Sequence, residues 1–194
     1  MSCMKRLFIA IELPLEMRRV FFEWQENYRN LSGAKWTAKE NLHITLAFLG
    51  NMEESRLQQL INELTAELKN FDKFKLEFKA MVLAPVNRPA RMIWADFYSC
   101  QKFNDLVNKI WQAAKNYVEP EIYDNIKKPI AHVTIARLRN ALYLNGLKQP
   151  ELNGRSFEAN KVLLMESELL PAGPKYKAVA EFRLVIGKPV SCSR

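Results

Sequence analysis

The chain has 194 residues, of which 48% are hydrophobic and 26% are charged. These values are typical of a globular protein and exclude the collagen-like, low-complexity and disordered classes. No stretch reaches the roughly 18–20 uninterrupted apolar residues that a membrane span needs. Glu12 ends the first apolar run too early for a secretory signal. We therefore expect a cytoplasmic protein without a membrane span.

The charge balance is basic, with 29 Lys and Arg residues against 21 Asp and Glu residues and a formal net charge of +8. A basic surface of this size attracts polyanions such as RNA or DNA, although many basic proteins bind no nucleic acid. Three cysteines, Cys3, Cys100 and Cys192, lie far apart and form no C-x-x-C pair. The pattern therefore indicates neither a disulfide framework nor a zinc knuckle.

Hydrophobic periodicity predicts both strands and helices along the chain. In chain order, we predict a strand at residues 6–13, a helix at 14–30, a strand at 41–49, a helix at 53–69, strands at 73–84 and 90–97, a helix at 101–118, a loop at 119–129, a strand at 130–138, a loop at 148–154, and closing strands at 156–169 and 176–186. Strands outnumber helices, and neighbours such as 73–84 and 90–97 can form hairpins. This favours an α+β fold with antiparallel or mixed sheets over a doubly wound parallel sheet.

The two histidines of the chain lie in similar segments. His43 belongs to Leu-His-Ile-Thr-Leu-Ala at 42–47, and His132 belongs to Ala-His-Val-Thr-Ile-Ala at 131–136. Only four threonines are present, so chance would place one two residues after both histidines with a probability of roughly 4 in 10,000. The repetition therefore indicates a functional pair rather than two unrelated histidines.

The spacing within each segment predicts where the side chains point, because alternate residues of a strand share a face. His43 and Thr45 would lie on one face of the first strand, and His132 and Thr134 on one face of the second. Phe48 would lie on the opposite, core-facing side. If the two strands are neighbours or related by a pseudo-two-fold axis, two imidazoles and two hydroxyls meet in one small volume.

Such a set has a definite chemistry. One neutral imidazole can act as a general base while one imidazolium acts as a general acid, because histidine titrates near neutral pH. Two hydroxyls can donate hydrogen bonds to phosphoryl oxygens. The set suits in-line displacement at phosphorus, and two histidines without a nearby cysteine or carboxylate pattern make a poor zinc site. We therefore expect neither a metal nor a cofactor.

The sequence resembles the two-histidine (2H) phosphoesterase superfamily, and within it the RNA 2′,3′-cyclic phosphodiesterases, also called 2′-5′ RNA ligases. Residues 40–50 resemble the first signature of that family and residues 129–137 the second. Segments 6–14, 91–94 and 166–167, with Tyr176, resemble other strands of the family. The resemblance implies a single bilobal α+β domain over residues 1–190, in which two pseudo-symmetric lobes with outer helices flank a central groove.

The resemblance also implies that a 2′,3′-cyclic phosphate at an RNA end is hydrolysed to a 2′-phosphate. His43 would be the general acid for the 3′-oxygen, and His132 the general base that activates water. Thr45 and Thr134 would hold phosphate oxygens, and Arg137 would neutralise phosphate charge. Alternation places Arg137 on the face opposite His132, so this role requires a twist or bulge in the strand, or a side chain that wraps around.

Other residues near the motifs are weaker candidates. Phe48 matches an aromatic residue of the family that could stack on a terminal base, although alternation predicts a core position for it. Trp94 and Tyr176 have residue types found more often in cores than in sites. Lysines beside the two motifs are candidates for guiding an RNA backbone, namely Lys35, Lys39, Lys127 and Lys128.

Three functions remain open from the sequence. The first is a metal-independent cyclic phosphodiesterase with reversible 2′-5′ ligation, whose partners would be RNA ends bearing a 2′,3′-cyclic phosphate, such as tRNA halves. The second is an RNA-end binding module whose histidines do not catalyse. The third is a 2H phosphodiesterase for another nucleotide, such as ADP-ribose cyclic phosphate or 2′-5′ oligoadenylate. We expect a monomer in each case.

Overall fold

A computed structural model describes residues 4–85, 88–139, 147–152, 154–171 and 173–186, and the backbone of 191–192. The helices are α1 Leu15–Glu26, α2 Leu57–Leu68, α3 Gln101–Ala114 and α4 Pro120–Asp124. The strands are β1 Met4–Glu12, β2 Ala34–Trp36, β3 His43–Glu53, β4 Phe74–Ala84, β5 Met92–Phe97, β6 His132–Leu138, β7 Ser156–Ala159, β8 Lys161–Leu170, β9 Gly173–Arg183 and β10 Ser191–Cys192. Within these ranges, no helix is long and apolar enough to cross a membrane.

The strands form one sheet in the order β10-β4-β5-β6-β3-β1-β8-β9, with β2 also paired to β6 and β7 to β4. Every pairing is antiparallel except that of β10 with β4. The predicted hairpin of β4 with β5 and the closing pair of β8 with β9 are both present. The prediction of an α+β fold is thus confirmed.

Two halves of this sheet meet at its centre. We call β3, β1, β8 and β9 the first half, and β6, β5, β4, β2, β7 and β10 the second half. The join between them is narrow, because β3 and β6 pair in register at Ile44 and Val133. Each of these residues lies between the histidine and the threonine of its motif, so the join runs through the two motifs.

Helices cover one face of the sheet and bury its apolar side chains. From α1, the Phe21 ring packs against Phe78 of β4 and Phe97 of β5, with centroid distances of 5.8 and 6.4 Å. Helix α3 buries Phe103 and Ile110 and packs against β3 and α2. The helix after β1 therefore covers the second half, whereas the helix after β5 covers the first.

Some predicted boundaries differ from those in the structure. The strand predicted at 156–169 is two strands, because β7 ends at Ala159 and β8 begins at Lys161. These strands lie in different halves, with β7 paired to β4 and β8 to β1. The chain crosses between the halves at Asn160, and a continuous apolar pattern cannot reveal that change of partner. Strand β2 and helix α4 were not predicted, because three and five residues are too few to establish a period.

Strand β3 continues past the position where we predicted its end. Gly50 and Asn51 pair with Leu7 and Arg6, and helix α2 begins only at Leu57. Gly50 adopts a φ of +76°, and a Cβ atom placed there would lie 2.7 Å from Cδ1 of Ile122. The glycine therefore permits an irregular strand and a close approach to α4 rather than a turn.

The cysteine prediction is wrong for Cys100. This residue precedes α3 and is disulfide-bonded. Spacing along the sequence could not show this, because a disulfide depends on how close two residues come in space. Cys3 and the side chain of Cys192 lie outside the described residues.

Candidate active site

The two His-x-Thr motifs lie on adjacent strands at the centre of the sheet. The pairing of Ile44 with Val133 is antiparallel, which sets His43 alongside Thr134 and Thr45 alongside His132. All four side chains are partly exposed, whereas the residue between each pair is fully buried. The histidines and threonines therefore share one face of the sheet, the one that is partly open to solvent.

Both imidazoles are held in the same way by the backbone. Nδ1 of His43 lies 2.7 Å from the carbonyl oxygen of Asn41, and Nδ1 of His132 lies 2.9 Å from that of Ile130. A carbonyl can only accept a hydrogen bond, so each Nδ1 carries the proton of the neutral ring. Each Nε2 is then left for chemistry. Nε2 of His43 lies 3.0 Å from Oγ1 of Thr45, which can donate to it.

The two histidines differ in their electrostatic surroundings. Burial lowers the pKa of His43 from 6.5 to about 4; positive charge on His132 and Arg18 adds to this, and the Asn41 carbonyl opposes it. Burial also lowers the pKa of His132, opposed by the Ile130 carbonyl and the Asp96 carboxylate. In the free protein, burial therefore favours the neutral form of both rings. The influence of His132 on His43 further indicates that the two rings are close in space.

Aromatic side chains fix the position of each imidazole. The centroid of His43 lies 4.9 Å from that of Phe8 and 5.4 Å from that of Tyr176. On the other side, Trp94 stacks on His132 with a centroid distance of 3.9 Å and an interplanar angle of 29°. The sequence left Trp94 and Tyr176 as core-type residues and gave no role to Phe8. Their contacts place all three at the site.

A β-bulge follows each motif and changes which residues face the cleft. In β3, Ala10 pairs with Thr45 and Ile9 with Ala47, so Leu46 is an extra residue. In β6, Trp94 pairs with Thr134 and Ile93 with Ala136, so Ile135 is an extra residue. In β6, the bulge reverses the alternation of the residues that follow it. In β3, the reversal reaches only as far as Phe48, because Phe8 pairs with Phe48 and Leu7 with Gly50, so Leu49 is a second extra residue.

The bulges correct two predictions made from strict alternation. Phe48 is not a core residue, because its side chain is 58% exposed and its ring lies 6.2 Å from that of Phe8 beside His43. Arg137 is also exposed, on the same side of the strand as His132, so a bulge supplies the change of face that its predicted role requires. The two residues occupy equivalent positions, five residues after their histidines.

Two polar side chains hold the bulge of β6 in place. Oγ1 of Thr37 donates to the carbonyl of Thr134 at 2.8 Å, and the Thr37 amide donates to the carbonyl of Ile135 at 2.9 Å. Nε2 of Gln25 donates to the carbonyls of Thr37 and Ile135, both at 3.1 Å. Gln25 is only 4% exposed, and among the described residues it is the one buried polar side chain. Sequence patterns did not reveal this support, although glutamine in an apolar helical stripe is an unusual residue type.

Arginines bring positive charge to the cleft. Burial raises the pKa of Tyr176, whereas the positive charges of Arg137 and Arg6 act to lower it. Both guanidinium groups therefore lie within electrostatic range of the ring that contacts His43. Arg137 also lowers the pKa of His132. In the described part of the chain, no group of three or more His, Cys, Asp or Glu residues could hold a metal ion.

Comparison with known proteins identifies this arrangement. The model of the LigT-like phosphoesterase family matches residues 11–94, which include His43 but end before His132. An RNA 2′,3′-cyclic phosphodiesterase from Aquifex aeolicus is 31% identical over 155 residues, which cover 77% of this chain and 81% of that protein. The chain belongs to the LigT-like phosphoesterase family.

Other members align with this LigT-like phosphoesterase over greater lengths. An RNA 2′,3′-cyclic phosphodiesterase from Methanocaldococcus jannaschii is 29% identical over 182 residues, which cover 91% of this chain and 99% of that protein. The crystal structure of TT0787 of Thermus thermophilus matches with a TM-score of 0.78 and 27% identity, covering 92% of this chain and 97% of that one.

These matches confirm the resemblance stated from the sequence, the fold class and the conclusion that the chain is a phosphodiesterase. The long alignments extend past both motifs, whereas the family model reaches only the first. The individual roles of His43, His132, Thr45, Thr134 and Arg137 stay predictions.

Proposed function

We propose that this LigT-like phosphoesterase hydrolyses the 2′,3′-cyclic phosphate at the end of an RNA to a 2′-phosphate. One observation is the main support for this proposal. Each half of the sheet contributes one histidine, held through Nδ1 so that Nε2 is left for chemistry, and these two Nε2 atoms lie beside two threonine hydroxyls. Relatives from two organisms bear the name of this activity. The net charge of +8 suits a polyanionic substrate.

In the proposed complex, the cyclic phosphate lies between the two rings. The hydroxyls of Thr45 and Thr134 donate hydrogen bonds to its non-bridging oxygens, where negative charge grows as the attacking water adds. Arg137 supplies a positive charge on the second-half side of the same cleft. Phe48 offers its exposed ring to the terminal base, since base–aromatic stacking needs an accessible face.

The proton transfers follow from this placement. Nε2 of His132 accepts a proton from water as the water oxygen bonds to phosphorus. The bond between phosphorus and the 3′-oxygen breaks, and Nε2 of His43 donates a proton to that oxygen. The products are a 2′-phosphate and a 3′-hydroxyl, and one proton has moved from His43 to His132 through the reaction. Exchange with solvent restores both rings.

Because the pKa values of both histidines are lowered, the general acid must gain its proton when the substrate binds. With a pKa of about 4, His43 carries no proton at neutral pH in the free protein. A phosphodiester anion beside the ring favours the imidazolium and raises the pKa. The substrate therefore brings about the protonation of the acid that later cleaves it. Binding should be accompanied by the uptake of about one proton.

A reversed assignment of the two histidines is favoured by one observation. Asp96 raises the pKa of His132, whereas among the described residues no carboxylate is found to raise that of His43, so the imidazolium is better supported at His132. A cyclic substrate with sulfur in place of the 3′-oxygen separates the two assignments, because a thiolate leaves without a general acid. Replacing the acid should then cost little, whereas replacing the base should cost as much as with the natural substrate.

The same displacement with a different nucleophile would make this site a reversible 2′-5′ ligase. If a 5′-hydroxyl of a second RNA takes the place of water, the base accepts its proton and a 2′-5′ phosphodiester forms. Nothing else in the proposed mechanism changes. Paired tRNA halves, which carry a cyclic phosphate on one piece and a 5′-hydroxyl on the other, provide both reactants for this assay.

The central experiment uses an RNA oligonucleotide that ends in a 2′,3′-cyclic phosphate, incubated with the protein in EDTA. Mass analysis with standards that resolve 2′- from 3′-phosphate should find the 2′-phosphate as product. Loss of turnover on chelation would overturn metal independence. Salt-dependent binding without any product would favour the RNA-end binding module. Faster turnover of ADP-ribose cyclic phosphate or 2′-5′ oligoadenylate would move the substrate assignment to another nucleotide.

A further inference from the structure

A pair of cations lies beside the motif of the second half. Lys35 of β2 is directly opposite Arg137 of β6 in antiparallel register, and both side chains are exposed. Opposite residues of an antiparallel pair project from the same face, with Cβ atoms roughly 4.5–5.5 Å apart. Since Arg137 acts electrostatically on His132 and Tyr176, this is the face of the cleft.

The pair has no carboxylate to balance it. Among the residues that the structure describes, neither Lys35 nor Arg137 takes part in a salt bridge, and the hydrogen bond found for the guanidinium is to Sδ of Met92 at 3.7 Å. Some other cations of the sheet are paired, as Lys5 is with Glu166 and Lys161 with Glu12. Like charges placed opposite each other destabilise a sheet, and a bound anion would remove that cost.

The position of Lys35 relative to the motif suggests which anion this is. Arg137 follows Thr134 by three residues along β6, and Lys35 lies about 4.8 Å to its side, on β2, which pairs with the same edge of β6 as β3 does. Both cations therefore lie beyond the motif along β6, on the cleft face and away from the reacting phosphate. An RNA that places its terminal phosphate at the two histidines has its next phosphodiester one nucleotide away.

We propose that Lys35, together with Arg137, binds the phosphodiester on the 5′ side of the terminal nucleotide. This inference rests on the proposed function and extends it to the class of substrate. The site is then built for an oligonucleotide with at least two phosphates, rather than for a single nucleoside 2′,3′-cyclic phosphate. Lysine suits this position because its ammonium recognises phosphate charge without reading the base.

The test compares two substrates, cytidine 2′,3′-cyclic phosphate and a short RNA oligonucleotide ending in a 2′,3′-cyclic phosphate. In Lys35→Gln, the ratio of kcat/KM for the oligonucleotide to that for the mononucleotide should fall by about fivefold. With the oligonucleotide, the slope of log kcat/KM against log salt concentration should become shallower by about 0.7, the value for one phosphate contact on a single strand. Lys35→Arg should preserve most of the ratio.

A matched control removes the same charge elsewhere. Lys69 is exposed at the end of α2, outside the cleft face, and Lys69→Gln should leave the ratio unchanged. Equal falls in the two glutamine variants would show a general charge effect and overturn the subsite, as would an unchanged ratio in Lys35→Gln. Wild-type protein that turns over neither substrate would instead overturn the proposed function, so the two failures are distinguishable.

Discussion

The two halves of the sheet present the same motif in different surroundings. Each half supplies a histidine tied through Nδ1 to a backbone carbonyl, a threonine two residues later and a bulge that brings the fifth residue to the cleft. The first half surrounds its histidine with aromatic rings from Phe8 and Tyr176. The second half gives its histidine one stacked indole, a carboxylate from Asp96 and an exposed arginine.

This difference matters for the proposed mechanism, in which two similar motifs have unlike roles. In the proposed mechanism one histidine holds a proton while the other does not, and different surroundings favour one such arrangement over the other. Here the backbone geometry is shared, whereas burial and neighbouring charge differ between the halves. Sequence repetition therefore predicts where the histidines meet, but not which one holds the proton.

The largest expected effect comes from removing either imidazole. His43→Ala and His132→Ala should each lower kcat by roughly 10²–10⁴-fold, the usual scale of one general acid or base. Because the two rings act in one proton-transfer sequence, the double variant should lose little more than the worse single variant. Single-turnover rates with cyclic-phosphate RNA measure all three. Fully multiplicative losses would contradict a shared transition state.

Removing a threonine hydroxyl from either half should have the next largest effect. Thr45→Val and Thr134→Val keep the shape of the side chain but delete the donor to a phosphoryl oxygen, and kcat should fall by about 10²-fold. Thr45→Ser and Thr134→Ser keep the hydroxyl and serve as controls. Loss of activity in only one valine variant would mean that a single half stabilises the charge.

The hydrogen bonds that hold the bulge of β6 allow a test that is confined to the second half of the site. Thr37→Val deletes the hydrogen bond to the Thr134 carbonyl, so kcat/KM should fall by about tenfold, whereas Thr37→Ser should retain activity. Because Thr37 touches only the second half of the site, the NMR signals of His132 should move and those of His43 should not. Equal chemical-shift changes of both histidines would indicate a general loss of structure in the site instead.

The dependence of kcat/KM on pH tests the difference in protonation between the two histidines. The reaction needs one proton on the histidine pair, and burial lowers both pKa values, that of His43 to about 4. As pH falls from 8, kcat/KM should rise until the pH reaches the pKa of His132, below 6.5, and should decline again below about 4 as both rings protonate. Initial rates over this range measure the curve, and a maximum above pH 7 would contradict it.

The smallest effect, on stability alone, is expected from replacing either of two glycines by alanine. Gly50 in the first half and Gly33 beside the second both have positive φ, but a Cβ at Gly50 would lie 2.7 Å from Ile122, whereas at Gly33 the nearest atom is 3.9 Å away. Gly33→Ala should cost about 1–2 kcal/mol of unfolding free energy, the cost of the left-handed conformation. Gly50→Ala should cost more. Urea denaturation measures both, and equal costs would contradict the crowding at Gly50.

Much of the fold could be predicted because its signals are local. The apolar stripes of α1, α2 and α3 and the runs of the longer strands specify their structure within a few residues. The meeting of His43 and His132 was suggested by a repeated tripeptide, which needs no knowledge of the fold. The hairpin of β4 with β5 followed from its short connection.

The rest depended on contacts between distant segments. Strict alternation places Phe48 and Arg137 on the wrong face, because a bulge is stabilised by its partner strand and, in β6, by Gln25 and Thr37 from far away in the sequence. The break at Asn160 reflects a change of partner strand rather than a change of composition. The bond at Cys100 likewise depends on spatial proximity.

The path of the chain through the sheet has a consequence for how the protein can be divided. Strands of the first half come from both ends of the chain, at β1, β3, β8 and β9, and those of the second half lie mainly between them. No contiguous fragment therefore contains one half without parts of the other. A backbone cut after residue 139 would leave both histidines on the amino-terminal piece but remove β8 from the edge of β1. Only complementation by the carboxyl-terminal piece would restore that edge.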